Sequence, residues 1–242
     1  MPDPFVQGLR LTVFGDNQRW AEPRPILPLI FGREADTNEQ NVPLQLSVSR
    51  AQGQPHGWQL TVQSIPGRLD ILQDAALAPV LVGSVSKRMH ASAEVISLFI
   101  NRVSAQAKDL IDDVATRIAL GTTLRWKVSS PSDAIDYLKQ WHPHLDLRPE
   151  DIDVIFQRNR PTSIRIASEE LRINRIEQWS MPTFSVFATL PEREVSRQYC
   201  VQLTTDVNTA QGREKTLPKE AVQVILDHLR SLTCAICERS GQ

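Results

Sequence analysis

The chain has 242 residues, of which 41% are hydrophobic and 23% charged, a composition typical of a globular protein with a full core. Its 27 Lys and Arg against 28 Asp and Glu give a formal net charge of −1, which argues against the strong positive field of nucleic-acid-binding proteins. It starts without a basic, apolar leader, its apolar runs are short, and its three cysteines lack framework spacing, so we expect a soluble, reduced, cytoplasmic protein with no secretory signal and no membrane contact.

Alternating strands and one long helix are predicted for the first half of the chain. Polar and apolar residues alternate, as in half-buried antiparallel strands, in Leu9–Asp16, Leu44–Ser49 and Trp58–Val62, and a further strand is predicted at Arg68–Leu72. Pro66-Gly67 predicts a turn between the last two, since Pro fixes φ and Gly tolerates a positive φ. The stretch Asn17–Asn41 contains three prolines, shows little periodicity and is predicted to be a loop. Apolar residues at helical spacing predict a helix over Ser92–Val114.

The second half has a similar pattern. Thr122–Val128 alternates as a strand, and Ser130-Pro131-Ser132-Asp133 carries the N-cap, first-turn proline and capping-box residue of a helix start. A short helix is therefore predicted to about Trp141, and a hairpin turn is predicted at 160–162 around Pro161. Further strands and a final amphipathic helix are predicted at Glu170–Ile176, Thr183–Leu190, Gln198–Val207 and after Thr216-Leu217-Pro218.

These elements predict an α+β protein of mainly antiparallel sheet with about three covering helices. The reason is that the strands come in consecutive runs instead of alternating one for one with helices. Residues 1–116 form a β-rich half that ends in a long helix, and residues 117–242 form an α+β half that ends in another, although one compact domain also fits. The shared order suggests two related halves, without any repeat at the level of residues.

Cys234 and Cys237 form the first motif that could bind a metal or carry out redox chemistry. They lie in the last turns of a predicted helix, where the helix dipole opposes the thiolate instead of stabilising it. A structural zinc site would need four ligands; besides this pair the sequence offers Cys200 and His228, without a second pair at knuckle spacing. The pattern favours small apolar fillers near a helix end.

His142-Pro143-His144, with Asp146, is the second such motif. The proline and the end of the preceding helix favour a helix stop over a metal site, and a histidine at a helix C-terminus suits the helix dipole. No phosphate-binding glycine pattern and no hydrolase motif occurs, so we predict no cofactor and no bound metal.

Carboxylates and arginines supply two remaining chemical hypotheses. Asp112 and Asp113 are neighbours that diverge on a helix. Asp151 and Asp153 can share a strand face, as a hydrolase pair would, although the pattern favours a polar edge before an apolar strand. The arginines are balanced by four acidic residues in the window 151–175 and lack interleaved aromatics. A solvated, ion-paired sheet face is thus favoured over nucleic-acid binding for Arg158, Arg160, Arg165, Arg172 and Arg175.

The segment Leu171-Arg172-Ile173-Asn174-Arg175-Ile176 resembles the hallmark strand, roughly L-R-Y-I-N-R-I, of a sporadically distributed, uncharacterised prokaryotic family. Arg172, Asn174 and Arg175 match the hallmark, and Asp206 matches a late acidic position that precedes a C-terminal helix. The resemblance covers about residues 160–240; the sequence lacks the aromatic and is one residue shorter. It implies an accessory or defence-type bacterial gene and no established chemistry.

The hallmark strand also suggests a structural role. Arg175 shares one strand face with Leu171 and Ile173, and an arginine on a buried face needs a partner. We expect Arg175 to reach a carboxylate, with Asp206 as the candidate, and to lock two adjacent strands.

Three functional hypotheses follow. The first is a non-catalytic binding or assembly component that contacts a protein, either a second copy or a neighbouring gene's product, through an open sheet edge or an apolar seam of the last helix. The second is a metal-dependent hydrolase or nuclease that uses Asp151, Asp153 and Asp206. The third is nucleic-acid binding, which would need the five arginines on one exposed face. The candidate seam comprises Val222, Ile225, Leu229, Leu232 and Ile236.

Overall fold

A computed structural model describes residues 4–16, 18–52, 58–75, 93–111, 114–189, 192–210 and 215–239. Within these residues the first half contains β1 (Phe5–Gly15), α1 (Ile26–Phe31), β2 (Thr37–Asn41), β3 (Leu46–Gln52), β4 (Trp58–Ile65), β5 (Arg68–Ala75) and α2 (Ala93–Ile111). The second half contains β6 (Ala115–Val128), α3 (Pro131–Trp141), β7 (Ile155–Asn159), β8 (Thr162–Ile166), β9 (Glu169–Ser180), β10 (Thr183–Thr189), β11 (Glu192–Thr209) and α4 (Lys219–Arg239).

The predicted α+β class is confirmed, with every strand in a single antiparallel sheet of 11 strands across the described ranges. The strand order is β2-β3-β4-β5-β1-β6-β11-β9-β7, with β10 beside β11 and β8 beside β9. Strands β1 and β6, the first of each half, pair with each other at the centre. Each half also runs from one strand through a short helix and consecutive strands to a long helix.

The start of α3 is confirmed at its predicted position. Ser130 is extended at the N-cap, its Oγ accepts a hydrogen bond from the Asp133 backbone N (3.1 Å), and Pro131 occupies the first turn. The Pro66-Gly67 turn is also confirmed, since Gly67 has a φ of 76° between β4 and β5.

The predicted loop over Asn17–Asn41 is wrong. It contains a 3₁₀ turn at Gln18–Ala21, the helix α1 and the edge strand β2. Pro28 is accommodated because it lies in the first turn of α1, where a proline removes no intrahelical donor. Ile26, Leu27 and Ile30 of this helix are buried, so packing decided the structure of a stretch with weak periodicity.

The hairpin predicted at 160–162 is also wrong. Strands β7 and β8 run in the same direction, one after the other, along the same edge of β9. Pro161 interrupts this edge strand because it cannot donate to a ladder. The hairpin turn lies instead between β8 and β9, where Ala167 has a positive φ of 52°.

The helices pack on the sheet face that carries Leu11, Leu120 and Val207, and these residues belong to one hydrophobic core that spans both halves. The candidate seam of α4 faces this core: Val222, Ile225, Leu229 and Ile236 are buried, and Leu232 is partly buried against them. The protein's own sheet and α2 therefore cover the seam, and it does not form an exposed surface for a partner.

Candidate functional site

The opposite face of the sheet carries Asp206 and two of the three hallmark residues, Arg172 and Asn174. We call it the open face and define it by Phe14, Thr12 and Arg10 of β1 and their register partners. Residues that are directly paired in an antiparallel ladder share a face. Among the described residues the helices lie on the other face, and the open face presents mainly polar side chains.

Arg10, Gly121 and Asp206 form the central row of the open face on β1, β6 and β11. Gly121 has no side chain, so the Arg10 guanidinium lies across it, and a Cβ at Gly121 would be 3.3 Å from Arg10 Nε. Arg10 Nη2 is 4.0 Å from Asp206 Oδ2. The glycine thus permits an ion pair that spans two strand spacings.

A chain of amides leads to the same carboxylate. Asn159 Nδ2 donates to Asn174 Oδ1 (3.3 Å), Asn174 Nδ2 donates to Asn208 Oδ1 (3.2 Å), and Asn208 Nδ2 donates to Asp206 Oδ1 (2.8 Å). Asn208 is fully buried. Asp206 is therefore held from both sides, by the amide chain and by Arg10.

Asp70 anchors the neighbouring row of the open face and is only 2% exposed. Its oxygens accept hydrogen bonds from Thr12 Oγ1 (2.5 Å), Gln63 Nε2 (2.9 Å) and Arg68 Nη2 (3.0 Å). These charge-assisted contacts compensate for the burial of the carboxylate.

Two guanidinium groups flank the Phe14 ring at the end of the face. Phe14 pairs with Arg68 on one side and with Arg117 on the other. The Cζ atoms of Arg117 and Arg68 lie 4.6 and 5.8 Å from the ring centroid. Arg117 Nε also donates to the Thr209 carbonyl oxygen at 3.2 Å.

Arg125 occupies the other end of the same face of β6. Its Nε donates to Gln202 Oε1 (2.7 Å), its Nη1 donates to Gln7 Oε1 (3.0 Å), and its Cζ lies 4.5 Å from the Phe184 centroid. Burial lowers the pKa of Arg125. The open face thus ends in arginine at both ends of β6.

The expected Arg175–Asp206 pair is wrong. Asp206 is paired in register with Ile176, and Arg175 is paired with Val207, so the two side chains point to opposite faces of the sheet. Arg175 lies instead on the helix-covered face, near His228 of α4, whose pKa is lowered by burial and by the positive charge of Arg175. The hallmark residues therefore lie on both faces of the sheet, since Asn174 and the exposed Arg172 belong to the open face.

The five arginines considered for nucleic acid do not share one face. Arg158 and Arg175 lie on the helix-covered face, whereas Arg165 and Arg172 lie on the open face. The Arg158 Nε donates to Glu177 Oε2 at 2.9 Å, and Glu177 is 2% exposed. These five arginines therefore do not form the single exposed face that the nucleic-acid hypothesis requires.

The three carboxylates of the hydrolase hypothesis occupy different environments. Asp151 Oδ2 accepts a hydrogen bond from the Arg148 backbone N (2.7 Å) in a loop turn, Asp153 has a positive φ of 54°, and Asp206 lies on the open face. Within the described ranges, no group of three or more His, Cys, Asp or Glu side chains is arranged to hold a metal ion. The pair Asp112-Asp113 lies outside the described residues.

Within the described residues, neither cysteine of α4 forms a disulfide. Cys237 is buried and Cys234 is half-buried, and burial raises the pKa of both thiols. This environment agrees with small apolar fillers and opposes a reactive thiolate.

Sequence reasoning missed a buried aromatic cluster on the helix-covered face. Trp179 stacks between Trp126 (5.6 Å) and Trp141 (6.0 Å), and His142 meets the Trp179 ring edge at 5.2 Å. His142 is the C-cap of α3 and is 1% exposed. Burial lowers its pKa to about 4, with a smaller effect from Arg158. The available signal was the alternation of Trp126 and Trp179 within their strands.

The edges of the sheet are the second candidate surface. Among the described strands, β2, β7, β8 and β10 each pair along one side only. Three of them contain a charged residue, namely Glu39, Arg158 or Arg165, and such residues discourage pairing with another chain. Strand β10, with the sequence TFSVFAT, contains none.

Strand β10 belongs to a ribbon at the start of β11. Residues 192–199 of β11 pair with β10, with one register shift between Val186 and Phe187, whereas pairing of β11 with β6 begins only at Tyr199 and with β9 only at Gln202. A two-stranded ribbon of this kind has little stability of its own in water. Among the described strands, the outer edge of β10 is open, and pairing with a further strand would stabilise this ribbon.

No helix within the described residues is long and apolar enough to cross a membrane. In comparisons with known proteins, the chain matches no family model, no curated protein and no solved structure.

Proposed function

We propose that this protein is a non-catalytic binding component that assembles with a protein partner by strand addition at β10. The proposal rests on β10, which pairs along one side only among the described strands and contains no charged residue, unlike the other edge strands β2, β7 and β8. The resemblance of the hallmark strand supports an accessory or defence-type bacterial system, and the cysteine usage supports the cytoplasm.

Strand addition fits the dimensions of this edge. The seven residues of β10 span about 23 Å at the usual rise per residue. The outer backbone N–H and C=O groups of an edge strand supply affinity to an added strand, while the side chains on either face supply specificity. The partner is thus an extended segment, either from a second copy or from the product of a neighbouring gene.

The test is affinity purification of the tagged protein from its native host, compared between wild type and two double-lysine variants. Ser185→Lys/Ala188→Lys places charges on β10, where they oppose edge pairing. Thr37→Lys/Gln40→Lys adds the same charge to the edge strand β2 and is the matched control. We expect a stoichiometric partner with wild type and the β2 variant, and at least a tenfold loss with the β10 variant.

Circular dichroism and size-exclusion chromatography of each variant establish that the fold is retained. Recovery of wild type alone and monomeric, or equal loss of partner in both lysine variants, would contradict the proposal. A concentration-dependent dimer that the β10 substitutions dissociate would identify a second copy as the partner.

A further inference from the structure

We propose that Arg117 and Arg68, on either side of Phe14, form a binding site on the open face for a phosphate monoester group. The site lies on β5, β1 and β6 and does not involve β10. It therefore stands or fails independently of the strand-addition proposal.

Arg117 is held in position while its two terminal Nη groups remain available to a ligand. Its Nε donates to the Thr209 carbonyl oxygen, and its Cζ lies over the Phe14 ring, 4.6 Å from the ring centroid. Within the described part of the chain, its Nη1 and Nη2 take part in no hydrogen bond and no ion pair of 4.0 Å or less. A guanidinium held in this way has already lost most of its side-chain freedom, so binding an anion costs little further conformational entropy.

The electrostatics of Arg117 favour an added anion. Burial lowers its pKa, Asp206 acts in the opposite direction, and the positive charge of Arg68 lowers the pKa further. The charged form is thus less well solvated than on an open surface. An anion between the two guanidinium groups would relieve both the desolvation and the repulsion.

Arg68 can offer the ligand only some of its guanidinium N–H donors. Its Nη2 donates to Asp70 Oδ1, and its Nε lies 2.9 Å from Asp70 Oδ2 without a hydrogen bond, so this edge of the guanidinium faces the carboxylate. Its Nη1 makes no hydrogen bond among the described residues. Asp70 offsets one of the two positive charges, and the site as a whole stays net positive.

The geometry favours a terminal phosphate over other anions. A carboxylate is satisfied by one guanidinium in a bidentate pair, whereas a tetrahedral phosphate offers oxygens to donors on two sides. An extended polyanion would run along the face toward Asp206, which is 31% exposed. That carboxylate confines the ligand to a single group at the Phe14 end.

The first experiment follows the arginine Nε–Hε resonances of the full chain by ¹H–¹⁵N NMR during titration with inorganic phosphate. The ionic strength is held constant with sodium chloride. We expect saturable shifts of the Arg117 and Arg68 signals. Arg117→Gln should raise the Kd for phosphate at least tenfold, and Arg117→Lys should restore only part of the affinity, because lysine keeps the charge but loses the planar fork.

The matched control is Arg50→Gln, which removes an open-face arginine that is paired with Glu39; it should leave the Kd unchanged. Glycerol phosphate and a phosphoserine peptide then distinguish a small molecule from a modified protein as the source, and tighter binding of either supports the site. If Arg117→Gln does not fold, the wild-type titration decides by whether Arg117 shifts and Arg50 does not.

Several outcomes would overturn the inference. One is a wild-type titration without saturable shifts at Arg117, and another is an equal loss of affinity in Arg117→Gln and Arg50→Gln. A third is salt-sensitive binding of a single-stranded oligonucleotide that shifts Arg125 as strongly as Arg117, which would make the open face a nucleic-acid surface instead.

Discussion

His142 should make the stability of this protein depend on pH in the mildly acidic range. The ring is 1% exposed, and neither ring nitrogen has a hydrogen-bond partner among the described residues. Burial is the main cause that lowers its pKa from 6.5 to about 4. Arg158, His144 and Arg160 act in the same direction, while Glu177 opposes them. The folded protein therefore resists protonation at this site.

The sign follows from linkage. The unfolded chain binds a proton at His142 more readily than the folded chain, so the stabilising effect is complete above pH 6.5 and is lost as the pH falls toward 4. The full difference is about 3 kcal/mol at 1.36 kcal/mol per pKa unit. Between pH 7.5 and pH 5.0 it amounts to about 2 kcal/mol, or roughly 4–8 °C in Tm for a chain of this length.

The assay is chemical denaturation at several pH values between 5.0 and 7.5 for wild type and His142→Phe. The phenylalanine keeps a ring in the aromatic cluster and cannot titrate. We expect its free energy of unfolding to fall less with decreasing pH, by about 2 kcal/mol over the range. His228, whose pKa is also lowered, contributes equally to both proteins and cancels. Parallel pH curves for the two proteins would refute the reasoning.

Three further perturbations test the packing of the sheet and its turns. Arg158→Leu should lower the free energy of unfolding by about 3 kcal/mol because the buried Glu177 loses an ionic partner, and Arg158→Leu/Glu177→Leu should recover much of this loss in urea titrations. Ser130→Ala should cost about 1 kcal/mol through loss of the hydrogen bond from Asp133 N; an unchanged urea midpoint would contradict the observed cap. Gly67→Ala should lower the Tm by a few degrees, because alanine disfavours the positive φ of this turn by about 1 kcal/mol, and equal melting curves would argue against that conformation.

Local patterns in the sequence were sufficient for the class of fold and several element starts. The capping residues around Ser130 and the Pro66-Gly67 turn act within four residues of themselves, so their structures do not depend on distant partners. The alternation that predicts β4 is likewise visible within one short segment. The stretch Asn17–Asn41 lacked such signals, and its helix α1 exists because apolar residues at 26, 27 and 30 reach the core.

The register of the strands decided which side chains meet on each face of the sheet. Because successive residues on a strand face opposite sides, a register different by one residue would have brought Arg175 and Asp206 together. The observed register separates them and places Asp206 beside Gly121 and Arg10 instead.

The sequence by itself determined the α+β class, the amphipathic helices and the local caps, because these depend on periodicity and on neighbouring residues. Only the tertiary structure decided that Phe14 lies between Arg68 and Arg117, residues far apart in the chain. It also decided that His142 is buried, which lowers the pKa of this histidine. Long-range pairing and desolvation depend on which segments meet, and that information is not present in any local pattern.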